Sequence, residues 1–167
     1  VAHVRCIGDC DAASTKYNYA GVKSCSAMAF VPGGGPKDCK YGCMGFGDCV
    51  ESCQFDAIHI VNGIAYVDKE ACKACGKCVE ACPRDIIELI PYDASEVVDC
   101  RNKDKGKDVM SVCKVGCIAC HLCEKTCQHD AVHVVDNIAY IDQDKCVGCG
   151  DCAATCPKTV ITVLHKA

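Results

Sequence analysis

Residues 72–83 decide the fold and read CKACGKCVEACP, with cysteines at Cys72, Cys75, Cys78 and Cys82. Two residues separate each of the first three cysteines, three residues precede the fourth, and a proline follows it. Bacterial proteins that bind 4Fe-4S clusters use this spacing, which puts three thiolates on one loop and a fourth in the next turn. Zinc sites are built from pairs of cysteines instead, so the spacing argues against zinc.

The same cysteine spacing occurs two more times, with Pro157 after Cys156 but Gln128 after Cys127, and a fourth copy is altered. In the altered copy Phe46 stands where the middle cysteine is expected, so Cys39 is the obvious substitute ligand. The cysteines of the three further runs are Cys146, Cys149, Cys152 and Cys156; Cys117, Cys120, Cys123 and Cys127; and, in the altered copy, Cys39, Cys43, Cys49 and Cys53.

The runs belong to a duplicated architecture. A shift of 74 residues aligns residues 39–87 with residues 113–161 without a gap, and 22 of 49 positions are identical. Such a fixed offset indicates two copies of one structural unit. We therefore predict an N-terminal cysteine-containing segment (1–38), a first two-cluster module (39–92), a linker (93–112) and a second two-cluster module (113–167). The charged stretch 101–108 within the linker is expected to be solvated.

Each module also carries a hairpin pattern between its two cysteine runs. Residues 57–61 and 64–67 alternate like half-buried strands around Asn62-Gly63, a strong hairpin signal, and residues 131–135 and 138–141 repeat the pattern. Short helices are expected over residues 76–81 and 150–155, because both stretches lack helix breakers and end at Cys-Pro. The predicted fold class is α+β, with tandem two-cluster modules of the bacterial ferredoxin type.

The ligand sets are expected to cross between the two runs of a module, because the last cysteine of one run binds the cluster held mainly by the other. At least four 4Fe-4S clusters are therefore predicted. The expected sets are Cys39, Cys43, Cys49 and Cys82; Cys72, Cys75, Cys78 and Cys53; Cys117, Cys120, Cys123 and Cys156; and Cys146, Cys149, Cys152 and Cys127.

Five cysteines remain outside these sets: Cys6, Cys10, Cys25, Cys100 and Cys113. The simplest interpretation is that they are buried free thiols. A fifth cluster is the alternative, with Cys6, Cys10 and Cys25 as ligands and Cys100 or Cys113 as the fourth. In a third interpretation Cys39 joins the N-terminal cysteines, leaving a three-iron cluster in the first module.

Composition narrows the function classes. The chain has 21 cysteines in 167 residues, an odd number packed in short runs with no signal peptide at residue 1, which argues against a disulfide framework. The formal charge is −4, and each oxidised cluster with its four thiolates adds about −2, so nucleic acid is not an expected partner. The apolar runs are too short for a membrane span, and no residue is placed for bond chemistry.

The flanking segments resemble the B subunit of the Rnf complex, the membrane-bound ferredoxin:NAD oxidoreductase of anaerobic prokaryotes. The resemblance covers nearly the whole chain, beyond the cysteine runs that many proteins share. It is carried by the sequence VAHVRC at residues 1–6, by residues 33–43 ending in KYGC, by residues 103–109, and by GCIAC at residues 116–120. Family members usually begin with a transmembrane helix and a further four-cysteine domain, and neither is in this sequence.

The resemblance implies an electron-transfer subunit without catalytic bond chemistry of its own. Its donor would be reduced ferredoxin, and its acceptors would be other subunits of a membrane complex that reduces NAD and exports sodium ions or protons. The implied location is the cytoplasmic face of the cell membrane, where this chain would be peripheral. Two alternatives stay open: an iron-sulfur subunit of another anaerobic oxidoreductase, such as a hydrogenase, formate dehydrogenase or 2-oxoacid oxidoreductase, and a stand-alone soluble carrier.

Overall fold

The computed structural model describes residues 1–164, which form small helices and two-stranded sheets. The strands are β1 (Ala2–Val4), β2 (Ile58–Val61), β3 (Ile64–Val67), β4 (Ile87–Leu89), β5 (Glu96–Val98), β6 (Val132–Val135), β7 (Ile138–Ile141) and β8 (Ile161–Val163). The helices are α1 (Asp48–Glu51), α2 (Lys77–Ala81), α3 (Gly106–Val112), α4 (Leu122–Thr126) and α5 (Asp151–Thr155), with 3-10 turns at Ser26–Phe30 and Pro32–Gly34. The α+β prediction is confirmed.

The two predicted hairpins are present and have the same register. β2 pairs with β3 and β6 pairs with β7, both antiparallel. The connecting turns are residues 62–63 and 136–137, and all four of these residues have positive φ angles between 45° and 75°. Asn, Asp and Gly tolerate this left-handed backbone, which matches the twist of a tight hairpin. Helices α2 and α5 also begin and end within one residue of their predicted bounds.

Each module is completed by a strand from outside its predicted bounds. β1, in the predicted N-terminal segment, pairs with β4, and β5, in the predicted linker, pairs with β8. Both strands bury apolar side chains against the module they join. Strands of three residues are too short to show a clear alternation in sequence, which is why the pattern did not reveal them.

The stretch 101–108 differs from the expected solvated linker. Asn102 is buried, and α3 begins at Gly106 and encloses Val109, whose side chain is 0% exposed. Lysines at positions 103, 105 and 107 do face solvent. The charged composition therefore describes one face of this segment, while the other face packs between the modules.

The interior of each module is built largely from cysteine and short aliphatic side chains. One cluster of buried residues is centred on β1 to β4, and the other on β5 to β8. Cysteine supplies four of the eleven buried members in the second module. Since clusters cross-link such thiols, the fold and the cofactor are coupled. Among residues 1–164, no helix has the length and apolar character needed to cross a membrane.

Candidate iron-sulfur centres

Four cavities in the structure are each lined by four cysteines. The first lies between the two modules, the second in the second module, and the third and fourth in the first module. In that order, the lining cysteines are Cys6, Cys39, Cys100 and Cys113; Cys117, Cys120, Cys123 and Cys156; Cys25, Cys43, Cys49 and Cys82; and Cys53, Cys72, Cys75 and Cys78.

Two of these groups match the expected crossed sets. The fourth cysteine, Cys156 in one and Cys53 in the other, comes from the partner run of the same module. The reason is geometric: α1 packs against α2 and α4 against α5, which brings the end of one run beside the loop of the other. The remaining walls are mainly apolar, for example Val134 and Val160 in the second module.

The group containing Cys43, Cys49 and Cys82 differs from the expected set, because its fourth member is Cys25 and not Cys39. Cys25 lies well before the run, and the Phe46 backbone N–H donates a hydrogen bond to its sulfur. The side chain of Phe46 packs on Tyr19, with ring centroids 5.8 Å apart. Cys25 therefore takes the place of the missing middle cysteine, a substitution that no local spacing signals.

Asp48, in the first turn of α1, holds the loop that delivers Cys25. Its carboxylate accepts the backbone N–H of Cys25 at 2.6 Å and that of Ser26 at 2.9 Å, and the Ser24 hydroxyl donates to it at 3.1 Å. Burial alone would raise the pKa of Asp48, but these hydrogen bonds outweigh it and lower the pKa to about 2. Asp48 is thus a positioning residue that analysis of the sequence did not identify.

Cys39 lies instead in a cavity between the two modules, together with Cys6, Cys100 and Cys113; we term these four cysteines the interface site. Cys6 lies in the N-terminal segment, and Cys39 is the first cysteine of the altered run. Cys100 lies two residues after β5, and Cys113 directly follows α3. Of the five cysteines outside the expected ligand sets, the interface site contains three, namely Cys6, Cys100 and Cys113.

The interface site has approximate two-fold symmetry. Cys39 and Cys113 are related by the 74-residue repeat, while Cys6 and Cys100 each lie two residues after the strand that completes a module. The backbone N–H of Cys43 donates to the sulfur of Cys6 at 3.4 Å, and that of the equivalent Cys117 donates to Cys100. Each module therefore contributes the same pair of cysteines to the site.

Cys146, Cys149 and Cys152 form the remaining run, and Cys127 packs against the same buried cluster as Cys146 and Cys152. Glu96 on β5 is 1% exposed, with one carboxylate oxygen 2.7 Å from the sulfur of Cys146 and the other accepting the Gly150 N–H at 2.6 Å. Through these two contacts, Glu96 links β5 to the loop that carries Cys146 and Cys149.

Cys10 lines none of the four cavities. It is exposed, its N–H donates to the carbonyl of Asn62 at 3.0 Å, and its sulfur lies against Gly63 at the tip of the first hairpin. Of the residues considered for an extra cluster, it is the one the structure separates from the other cysteines.

Burial raises the pKa of several cysteine thiols and so favours their protonated form in the metal-free chain. It raises the pKa of Cys6 and of Cys49 to about 12, and nearby Cys43, Cys25 and Cys82 add to the effect at Cys49. Burial likewise raises the pKa of Cys100 and Cys123 to about 11. Iron must therefore displace protons from these sulfurs, which is the usual linkage between metal binding and thiolate formation.

The donor chemistry fits 4Fe-4S clusters. Four cysteine sulfurs surround each cavity, and the walls between them are mainly apolar. Within the part of the chain that the structure describes, no three His, Cys, Asp or Glu side chains converge closely enough for a single metal ion. The four cysteines of each group line a cavity, and they do not converge on one position as the ligands of a single metal ion would.

Comparisons with known proteins agree with this chemistry. The 4Fe-4S dicluster domain family matches residues 116–160, and the 4Fe-4S binding domain family matches residues 65–88. The chain is 48% identical to the B subunit of the ion-translocating oxidoreductase complex of Methanosarcina acetivorans, over 95% of this chain and 60% of that protein.

Two further relatives have similar names. The B subunit of the proton-translocating ferredoxin:NAD(+) oxidoreductase complex of Clostridium ljungdahlii is 44% identical over 98% of this chain and 58% of its own length. The Na(+)-translocating counterpart of Acetobacterium woodii is 45% identical over 97% of this chain and 49% of its own length. The chain spans between about half and three fifths of these relatives. It is therefore an iron-sulfur protein with 4Fe-4S ferredoxin domains in both modules, and a homologue, over nearly its whole length, of the B subunits of ion-translocating oxidoreductase complexes, two of which are named ferredoxin:NAD(+) oxidoreductases.

Proposed function

We propose that this chain carries five 4Fe-4S clusters and relays electrons from reduced ferredoxin toward the NAD-reducing subunits of a membrane complex. The observation that carries the proposal is the grouping of cysteines: four cavities with four cysteines each, plus one further run. This grouping uses every cysteine except Cys10.

The proposed ligands follow the cavities. Three sets keep the expected crossed pairing, Cys25 replaces Cys39 in the fourth, and the interface site forms the fifth. The five sets are Cys25, Cys43, Cys49 and Cys82; Cys53, Cys72, Cys75 and Cys78; Cys6, Cys39, Cys100 and Cys113; Cys117, Cys120, Cys123 and Cys156; and Cys127, Cys146, Cys149 and Cys152.

Bound clusters supply one-electron chemistry with little change in geometry. The protein's part is to hold the centres at fixed positions, exclude water and set the charge around each sulfur. The interface site supports a path between the modules, because Cys39 belongs to the first and Cys113 borders the second. Buried hydrogen bonds to sulfur, such as those from Cys43 and Asn102, support a rigid site.

Entry and exit of electrons are proposed at the middle cysteines of the regular runs. Cys75, Cys120 and Cys149 are exposed, whereas the third cysteine of each of these runs is buried. Short distances to the surface favour electron exchange with a docked partner. The names of two relatives contain ferredoxin:NAD(+) oxidoreductase complex, which supports reduced ferredoxin as donor and other subunits as acceptors. The cytoplasmic face of the membrane is the proposed location.

The first test is an iron and sulfide count on anaerobically purified protein, with EPR spectra of the reduced sample. We expect about 20 irons per chain, since five clusters hold four each. Cys113→Ala should lower the count by about four and remove one EPR component. Cys10→Ala is the matched control and should leave both unchanged. A count near 16 in the parent protein would remove the fifth cluster from the proposal.

The donor is tested by mixing the protein with reduced ferredoxin and following cluster reduction in a stopped-flow instrument. A fast rate of cluster reduction that falls as the salt concentration rises supports an electron donor that docks through charged surfaces. If reduced ferredoxin fails to reduce the clusters while dithionite succeeds, the chain belongs to another oxidoreductase or acts as a carrier for a different donor.

A further inference from the structure

The cysteines of the interface site are arranged symmetrically, but the polar groups around them are not. Gly8 and Asn102 occupy equivalent positions, two residues after Cys6 and Cys100, and the backbone N–H of each donates to that cysteine's sulfur. Only Asn102 has a side chain. Two residues before Cys39 stands Lys37, whereas two residues before Cys113 stands Ser111, an exposed residue on α3. The polar side chains of Asn102 and Lys37 therefore have no counterparts at the corresponding positions around Cys113.

Lys37 places a positive charge inside the protein beside the interface site. Its side chain lines the cavity and is 5% exposed. The ammonium donates to the carbonyls of Gly8 at 2.9 Å and Gly63 at 3.3 Å. Within residues 1–164 it forms no ion pair with a carboxylate, and no other cationic residue of this range is buried to the same degree.

Two other charged residues at the cavity, Arg5 and Asp99, have partners of opposite charge. The Arg5 guanidinium lies 3.5 Å from the carboxylate of Glu88. The buried carboxylate of Asp99 lies 2.5 Å from the imidazole of His3 and accepts a hydrogen bond from Thr162. The carboxylate of Asp9 interacts with Lys37 electrostatically, but not as a close ion pair. A buried charge without a close counter-charge is costly, so the cavity favours an anionic occupant next to Lys37.

Asn102 adds a directed hydrogen bond. Its Nδ2 donates to the sulfur of Cys39 at 3.5 Å, and both residues are buried. The Oδ1 of the same amide accepts the N–H of Asp104 at 2.8 Å, which fixes the orientation of the side chain. The Cys39 sulfur thus receives a neutral donor that its repeat partner Cys113 has no side chain to match, since the equivalent position is Gly8.

We propose that Lys37 and Asn102 raise the reduction potential of the cluster at the interface site. The inference rests on the proposed function, because it requires a cluster bound by these four cysteines. On reduction, the cluster takes one electron from a reduced ferredoxin-type donor and becomes one unit more negative, and no proton moves. A nearby positive charge and hydrogen bonds to sulfur both stabilise the more negative state.

The test is an EPR-monitored redox titration of the purified holoprotein. The component that disappears in Cys113→Ala, together with about four irons, identifies the interface cluster. In Lys37→Met its midpoint potential should fall by an amount equal to at least a tenfold change in the ratio of oxidised to reduced cluster, about 59 mV for one electron. Lys37→Arg keeps the charge and should keep most of the potential.

Lys40→Met is the matched control for charge. Lys40 follows Cys39 directly but is largely exposed and paired with Asp104 at 2.8 Å, so solvent screens its charge and the potential should barely move. An equal fall in Lys40→Met and Lys37→Met would contradict a role specific to the buried lysine. An unchanged potential in Lys37→Met, with the cluster present, would overturn the proposal for Lys37.

Asn102→Ser gives an independent test. The serine hydroxyl can still accept the Asp104 N–H in a local turn, but it is too short to reach the Cys39 sulfur. The potential should fall while the iron content stays near 20. Loss of four irons from both Lys37→Met and Asn102→Ser would overturn the proposal, because the two side chains would then act on cluster assembly. Failure of Cys113→Ala to lower the iron content would refute the fifth cluster itself, which is a separate result.

Discussion

Phe46 and Cys25 show how a single position can move a ligand far along the chain. The 74-residue repeat aligns Phe46 with Cys120, so the altered run lacks its middle cysteine. The loop at residues 24–26 folds back onto α1, and Asp48 holds it there. The Phe46 N–H then donates to the sulfur of Cys25, which puts this thiol beside the backbone of the position it replaces.

Cys25→Ala should therefore remove one 4Fe-4S component from the EPR spectrum and lower the iron content. Adding Phe46→Cys in the same chain should restore both, because the new thiol stands at the run's own central position. The double variant is compared with Cys25→Ala alone, and Cys10→Ala serves as the control for losing an exposed thiol. A full set of signals in Cys25→Ala would mean that Cys39 or another residue completes this centre.

At the scale of elements, strands β1 and β5 and helix α3 turn two modules into one structure. β5 is buried along its whole length and places Glu96 beside Cys146, while α3 ends directly before Cys113 of the interface site. Val109 packs so closely that a Cβ at Gly116 would lie 2.5 Å from its Cγ1. The segment between the repeats is thus part of the core.

Val109→Ala should lower the free energy of unfolding by about 2 kcal/mol, because it leaves a cavity under a fully buried side chain. Met110→Ala, next in the same helix but 52% exposed, should change it by less than about 0.5 kcal/mol. Anaerobic guanidinium unfolding, followed by the loss of cluster absorbance, measures both. Equal effects of the two substitutions would show that α3 is not held by its buried face.

The hairpins and the short helices α2 and α5 could be predicted from sequence because their signals are local. Asn62-Gly63 and the Cys-Pro pairs specify backbone geometry within a few residues. Cys25, Cys39 and Asp48 could not be assigned in this way, because their positions depend on contacts between distant segments. The 74-residue repeat did relate Cys39 to Cys113, and that equivalence was a signal for the interface site.

At the scale of the whole molecule, the interface site connects what the repeat divides. Each module contributes one cysteine after its completing strand and one before its first run. A cluster bound there would cross-link four segments of the chain, whereas the other sets each join segments within a module or its flanks. The buried residues of both modules include many cysteines, so the apolar core alone is small.

Removing the iron should therefore unfold most of the chain. Treatment with a strong iron chelator under reducing, anaerobic conditions at pH 7 leaves protonated thiols, because an ordinary cysteine has a pKa of about 8.5. Burial in the folded chain raises the pKa of Cys6, Cys49 and Cys100 further. Thiols without metal form no cross-links, so the core of each module loses its main constraint. Far-UV circular dichroism and protease sensitivity should report this loss.

Adding iron and sulfide back should restore the spectrum and the protease resistance of the holoprotein, in parallel with recovered cluster absorbance. The sensitive control is Cys113→Ala, which should refold to the same secondary structure with about four fewer irons, because each module keeps its own two clusters. A metal-free chain with the full circular dichroism and protease resistance of the holoprotein would show that packing, and not the clusters, holds the modules together.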